Sequence, residues 1–465
     1  MTGSFHMDPE EYRRRGHEMV DWVADYLGAV TEYPVNSQVE PGAIRAALPD
    51  AAPEDPEPFE NVMHDLNDII MPGITHWQSP NWFSYFPANS SGPSLLGEMA
   101  AAGLGVQGML WSTSPAATEL ETVVVDWMAD LLGLPESWKT TGVGGGVIQM
   151  SASDSAHVAM VTAREQFKEQ APLENLVVYA SDQTHSSVEK GARVAGFSHV
   201  RIVATDSKYA MDPSALSEMI AADRAGGLTP AFIAVTVGTT ATSSVDPVRS
   251  IAEIAKQNGM WVHVDAAYAG TTMICPEFRH HQDGIELADS YTFNPHKWMF
   301  TNFDCNLYYV ADRKPLIDAM SILPPYLRNE ATLSGNVIDY RDWHVPLGRR
   351  FRSLKLWFVL RHYGAAGIRH HIREHVRLAN ELAARLVADA RFELVAPHPF
   401  ALVVFRHADG NEATVSLAAA LNASGKVSIT PTTLGDTAAI RVSIGQTNTA
   451  AEHVDGLWAM MDELA

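Results

Sequence analysis

Cysteine is scarce: Cys275 and Cys305 are the two in 465 residues. Two thiols cannot build a disulfide framework, and neither lies in a CxxC pair, so no structural metal site is expected. The scarcity suits a reducing cytoplasm. Long apolar runs are missing too. None reaches the roughly eighteen residues that a membrane span requires, and the first residues carry no apolar core of secretory type. Positive charge is in short supply, with 33 Lys and Arg against 55 Asp and Glu, for a formal net charge of -22. That balance speaks against nucleic acid and anionic membranes as partners. What remains is an ordinary soluble composition, 46% hydrophobic and 19% charged, in a chain long enough for a main domain with smaller attachments.

Periodicity divides the chain. Apolar residues recur at helical spacing from Asp8 to Tyr26, with Asp8-Pro9-Glu10-Glu11 as the cap. A linker rich in proline and acids covers 41–58, and a second helix is expected over 59–71. After a helix over 118–132, strand-type runs alternate with helical stretches: 176–180, 200–204, 232–237, 261–264 and 290–293. Such alternation predicts an α/β fold with a mostly parallel central sheet and active residues at the strands' carboxyl ends. A small α/β domain follows, with a long helix over 369–389 and short strands at 402–405 and 440–444.

Three stretches carry chemistry. In Ser290-Tyr-Thr-Phe-Asn-Pro-His-Lys-Trp-Met-Phe300, Lys297 follows an apolar, aromatic strand. Desolvation there disfavours the ammonium, and a neutral amine is what imine chemistry with a carbonyl cofactor requires. On these residues alone, a lysine snorkelling from a strand end is the readier reading. In Trp261-Val-His-Val-Asp-Ala-Ala-Tyr-Ala-Gly270, Asp265 ends a strand and is followed by small residues, where a carboxylate can pair with a protonated ring nitrogen or merely cap a turn. The glycines of 142–146 lead into Ser151-Ala-Ser-Asp154, an arrangement that can bind an anion through free backbone N–H groups; it is neither a Walker loop nor a dinucleotide fingerprint.

Together with Glu11-Tyr-Arg-Arg-Arg-Gly-His-Glu-Met-Val-Asp21 and Gly348-Arg-Arg-Phe-Arg-Ser-Leu-Lys-Leu-Trp357, these segments resemble the aromatic-L-amino-acid decarboxylases that use pyridoxal phosphate (PLP). The resemblance runs along nearly the whole chain and is weakest after about Phe392. It implies the aspartate-aminotransferase-like PLP fold, known as fold-type I. The implied parts are an N-terminal helical segment packing on the partner subunit (1–87), a large PLP-binding domain (88–365) and a small C-terminal domain (366–465). It also implies a homodimer with active sites at the interface, and the basic cluster Arg349-Arg350-Phe351-Arg352 with Lys355 then reads as internal ion pairs near that interface.

Residue by residue, the resemblance implies that Lys297 carries the cofactor and Asp265 pairs with its ring nitrogen. His185 would stack on the ring. Ala152, Ser153, Asn294 and His296 are the implied phosphate ligands. Thr240 and Ala267, and less directly Asp246, fall on cofactor-face positions. Trp77, Tyr85, Phe86 and Pro87 would line the pocket for the substrate's aromatic ring, with Gln107, Met109 and Gly348 reaching the partner's site. Tyr326 lies in the irregular stretch 322–335, read as a mobile loop, and would be the proton donor. The expected reaction is loss of CO2 from an aromatic L-amino acid. Its rivals are oxidative conversion to an aldehyde, decarboxylation of another amino acid such as histidine or glutamate, and a catalytically silent scaffold. Ala88, where the animal enzymes carry a threonine, leaves any preference for a catechol ring open.

Overall fold

The computed structural model describes residues 5–322, 331 and 337–465. At its centre lie seven strands: β1 (Gly145–Gln149), β2 (Leu176–Ser181), β3 (His199–Val203), β4 (Thr229–Thr236), β5 (Trp261–Asp265), β6 (Ser290–Phe293) and β7 (Asn306–Val310). They form one sheet in the order β1-β7-β6-β5-β4-β2-β3. Neighbours from β3 through β6 are parallel, and β7 runs antiparallel to both β1 and β6. The parallel strands β2, β4, β5 and β6 are covered on both faces, which is why they read as unbroken apolar runs, while β3 at the edge is partly exposed. Ile233, Val235, Val262 and Val264 face one core, while Phe232, Ala234 and Trp261 face the other. The expected strands at 176, 200, 232, 261 and 290 are thus all present, and β1 and β7 complete the sheet.

The glycines of 142–146 serve this sheet. A Cβ on Gly144 would sit 2.3 Å from the Val310 carbonyl oxygen, and one on Gly146 would sit 2.6 Å from the Tyr309 ring. They let β1 and its entry turn press against β7, so the anion-site reading narrows to Ser151–Ser153 alone. Glu121 locks the same corner. It accepts the Ile148 N–H at 2.8 Å and pairs with both terminal nitrogens of Arg349, with each side chain about 97% buried or more. Arg352 with Asp304 (2.9 Å) and Lys355 with Glu98 (2.8 Å) complete a basic stretch that is neutralised within the chain.

A second, antiparallel sheet contains β8 (Phe392–Leu394), β9 (Leu402–His407), β10 (Thr430–Leu434) and β11 (Thr437–Ser443), in the order β10-β11-β9-β8. The helix Arg352–Ala388 leads into it and is broken at Gly364, whose φ of 60° and ψ of 169° are not helical. The domain limit expected after residue 365 falls beside this break. At the other end, the helix Pro9–Ala29 starts where Asp8 accepts the N–H groups of Glu10 and Glu11. Arg15 joins it to Glu60 of the second helix, which begins at Phe59 and passes into a widened turn at Leu66. From Val35 onward the N-terminal segment is tied to the chain's own C-terminal domain. Val35 N–H donates to Gly425 O (2.7 Å), Phe83 N–H to Ser428 O (2.9 Å), and Ser443 N–H to Phe83 O (2.9 Å).

Candidate active site

The carboxyl ends of β1, β2, β4, β5 and β6 open into one cleft, as expected of an open parallel sheet. β6 ends at Phe293, and a single helical turn, Pro295–Trp298, then turns Lys297 inward. Its amine lies 5.2 Å from the centroid of the Phe86 ring. Phe86 stacks on Tyr268 at 3.9 Å, and Tyr268 on Trp298 at 4.8 Å, so the amine emerges at an aromatic wall. Burial lowers the Lys297 pKa below its ordinary 10.5; Asp265 opposes the shift, and Arg441 adds to it.

Asp265 is the last residue of β5. One carboxylate oxygen accepts the Ala267 N–H at 2.9 Å, and the other has no hydrogen-bond partner among the described residues. Beside it, paired in register at the end of β4, Thr236 has a buried hydroxyl without a partner among the described residues. His185 follows the end of β2. Its Nδ1 accepts the Ser187 N–H at 3.2 Å and contacts the Ser187 hydroxyl at 2.8 Å, which puts the neutral ring's proton on Nε2. Desolvation, then the charge of Lys297, lower its pKa from 6.5, so the ring is uncharged at neutral pH.

The far end of the cleft is built for an anion. Ser151 caps the helix Ala152–Phe167 by accepting the Asp154 N–H at 3.2 Å, leaving the first-turn N–H groups of Ala152 and Ser153 without helical partners. His296 Nδ1 accepts the Cys305 N–H at 2.9 Å, so Nε2 carries the proton and is the donor. Burial, then Lys297, depress its pKa to about 3. Asn294 Oδ1 is taken by the Asn306 amide at 2.7 Å, which leaves its own NH2 as the end available to a ligand.

Of the residues singled out from sequence, the cleft gathers Lys297, Asp265, His185, Ala152, Ser153, Thr240, Ala267, Asn294, His296 and Phe86. Trp77 and Tyr85 line a neighbouring cleft against Asn422 and Ser428, with Tyr85 exposed. Pro87 packs near Gly445. Gln107 Oε1 accepts the Arg349 N–H at 3.0 Å beside the exposed Gly348, and the Met109 carbonyl accepts the Arg341 N–H at 3.0 Å. None of these three lines the Lys297 cleft of its own chain. Tyr326 lies outside the described residues. Asp246 is likewise not in the cleft; it is fully buried and braces the end of β4 by accepting the N–H groups of Thr236 (2.7 Å) and Met211 (2.8 Å). Sequence reasoning missed Thr236, Tyr268 and Arg441. The last stands out as a lone charge within the apolar strand β11.

A desolvated lysine, a carboxylate with one free oxygen and a helix N-terminus flanked by an imidazole N–H match the aldehyde, ring nitrogen and phosphate of PLP. This donor set on an open parallel sheet defines a PLP-dependent enzyme of fold-type I. Residues 41–408 match the pyridoxal-dependent decarboxylase conserved domain, and the chain belongs to that family of carboxy-lyases. It is 47% identical to tyrosine decarboxylase 2 of Narcissus pseudonarcissus, with 99% of this chain and 95% of the relative covered. It is nearly as similar, at 46% over 99% of this chain and 96% of the relative, to phenylacetaldehyde synthase of Arabidopsis thaliana. The crystal structure of Oryza sativa TDC with PLP and tryptamine superposes with a TM-score of 0.97 at 39% identity, covering 99% of each chain.

Proposed function

We propose that this chain decarboxylates aromatic L-amino acids, such as tryptophan, phenylalanine, tyrosine, DOPA or 5-hydroxytryptophan, to the arylalkylamine and CO2. The observation that carries the reading is the Lys297 amine standing at the Phe86–Tyr268–Trp298 wall, opposite Asp265. When bound, PLP supplies an aldehyde that condenses with amines and a ring that accepts the electron pair left by departing CO2.

The chain's residues do the rest. Lys297 offers an unprotonated amine and yields its place to the substrate's amine. Asp265, through its free oxygen, keeps a proton on the ring nitrogen. Ser151–Ser153, Asn294 and His296 hold the phosphate, and Thr240 and Ala267 line the ring's seat. His185, neutral and fixed by Ser187, presents Nε2–H to the ring and to the carboxylate that leaves. Phe86 and its aromatic neighbours receive the substrate's ring and keep water away, which favours release of a carboxylate whose charge disperses in the transition state. Tyr326 delivers the proton to the α-carbon.

The chain acts as a homodimer in the cytoplasm. Supporting the first are the exposed apolar side chains of Tyr12, Val20, Leu96 and Met99, which line one groove, and the outward position of Gly348 and Gln107. Supporting the second are two free, buried cysteines. The rival outcome, oxidation to an aldehyde, draws support from the near-equal likeness to phenylacetaldehyde synthase. Retention of both His185 and Tyr326 favours the amine, because the resemblance places their loss in the oxidative enzymes. The test is to supply each aromatic amino acid, with histidine and glutamate as controls, and to measure amine, CO2, aldehyde and oxygen uptake together. Aldehyde with stoichiometric oxygen uptake from the parent protein overturns the decarboxylase reading.

A further inference from the structure

Phe86 is flanked by two cations. The Lys297 amine lies 5.2 Å from its centroid, and so does the Arg441 guanidinium carbon. Arg441 projects from β11 of the small sheet and is only 4% exposed. Its Nη2 donates to the Tyr85 carbonyl at 3.2 Å, and its Nε has no hydrogen-bond partner among the described residues. No carboxylate pairs with it among the described residues, whereas Arg349, Arg352 and Lys355, equally buried, each have one. An unpaired buried guanidinium is expensive to keep, and burial lowers its own pKa to about 10. Its position beside the reactive lysine gives that expense a use.

We propose that Arg441 is a positioning residue whose uncompensated charge, acting across Phe86, holds the Lys297 amine in its unprotonated form. The inference rests on the assignment of Lys297 as the imine-forming residue, but its test requires no turnover. Both cations lie 5.2 Å from one centroid, so twice that distance is the most that can separate them. At that limit and an effective dielectric constant of about 20, their repulsion moves the amine's titration down by about one pH unit. The other groups facing the amine are Asp265 from β5, which opposes the effect, and His185 and His296, both neutral near pH 7. Arg441 is therefore the cation that, beside burial, offsets part of the pull of Asp265. It lets one carboxylate keep the cofactor's ring nitrogen protonated without also protonating the lysine.

The experiment is trace acylation of lysines with acetic anhydride in the full chain before cofactor is added. Peptides are quantified by mass spectrometry across pH, with the exposed Lys168 as internal reference. Parent Lys297 titrates below the ordinary lysine value of 10.5. Arg441→Gln keeps a donor for the Tyr85 carbonyl and loses the charge, and its Lys297 midpoint rises by about one pH unit. Arg441→Met, which keeps the stem against Phe86, gives the same rise and stands in if the Gln variant fails to fold. Arg441→Lys restores the charge and the parent midpoint.

An unchanged midpoint in both neutral variants overturns the proposal. Equilibrium binding to the PLP-loaded protein then names the replacement. Weaker binding of L-tryptophan with unchanged binding of tryptamine assigns Arg441 to the substrate's carboxylate, and no change in either leaves it as a tie to Tyr85. Failure of Lys297 to bind PLP in the parent would instead sink the functional reading, a separate outcome.

Discussion

Replacing Glu121 by Leu should destabilise the fold and loosen the phosphate end of the site together. Glu121 is 2% exposed and accepts three hydrogen bonds, two from Arg349 and one from the Ile148 N–H at 2.8 Å. Removing it strands the guanidinium, whose remaining partners are the Gly108 and Ile148 carbonyls at 3.1 and 2.9 Å. Breaking a buried pair from one side costs about 3–5 kcal/mol. With an unfolding entropy of about 2.1 cal/mol/K per residue over 465 residues, each kcal/mol lowers Tm by about 1 °C, so a fall of about 3–5 °C is expected. The same variant frees β1, two residues before the Ser151 cap, so PLP affinity should fall by about tenfold or more. The assays are differential scanning calorimetry and retention of PLP on dialysis. Adding Arg349→Met removes the stranded charge and should recover most of the lost Tm. If the double variant melts lower than Glu121→Leu, Arg349 contributes net stability through its other contacts even without Glu121, and the assignment of the loss to an orphaned charge is wrong.

Lys297→Ala should abolish both turnover and the visible absorbance of bound PLP; turnover near the parent rate would refute the imine assignment. Asp265→Ala should retain that absorbance but raise the decarboxylation barrier by about 3 kcal/mol or more, roughly a hundredfold loss in kcat, and a loss under about tenfold would detach Asp265 from the ring nitrogen. Tyr326→Phe should replace most of the amine with aldehyde, peroxide and oxygen uptake, read on an oxygen electrode beside amine quantification; mainly amine from the variant would move the donor's role elsewhere, to His185 first. Burial depresses His263 to about 4 and both His296 and His375 to about 3, against 6.5 in the unfolded chain. Between pH 6.5 and those values the unfolded chain binds more protons than the folded one, so stability is full above pH 6.5 and falls as pH drops. Near-ultraviolet circular dichroism should show acid unfolding inside that window, shifted to lower pH by His375→Gln, which preserves an acceptor for the Trp298 N–H. An unshifted midpoint would mean His375 does not contribute.

How legible all this was in the sequence depends on what each residue leans on. Asp265 ends one strand buried on both faces and Lys297 follows another by a single helical turn, and the apolar runs of both strands are plain in the chain, so their place at one edge of the sheet follows. β1 and β7 gave weaker signals. β1 opens with glycines that suggest a loop until β7 is seen pressing on them, and β7 carries a tyrosine pair that suits core and site alike. Trp77 and Tyr85 read as pocket residues by the resemblance, but their facing depends on how 33–87 crosses to the small domain, a matter of tertiary docking. Arg441 was hidden for the same reason. Nothing local to β11 tells that its guanidinium ends beside Phe86, more than 350 residues earlier in the chain.

The stitching of Phe83 to Ser428 and Ser443 has a consequence for biosynthesis. Lys297, Asp265 and the helix Ala152–Phe167 are all translated before residue 310, and their sheet can close once β7 has left the ribosome. The stretch leading to Phe86, though made far earlier, has no seat until β11 is complete, within the last thirty residues of the chain. A nascent or truncated chain ending before β11 would thus hold the reactive amine and its carboxylate with the aromatic wall still undocked. Damage to the C-terminal strand is then damage to the active site, although no residue there need touch the reacting atoms.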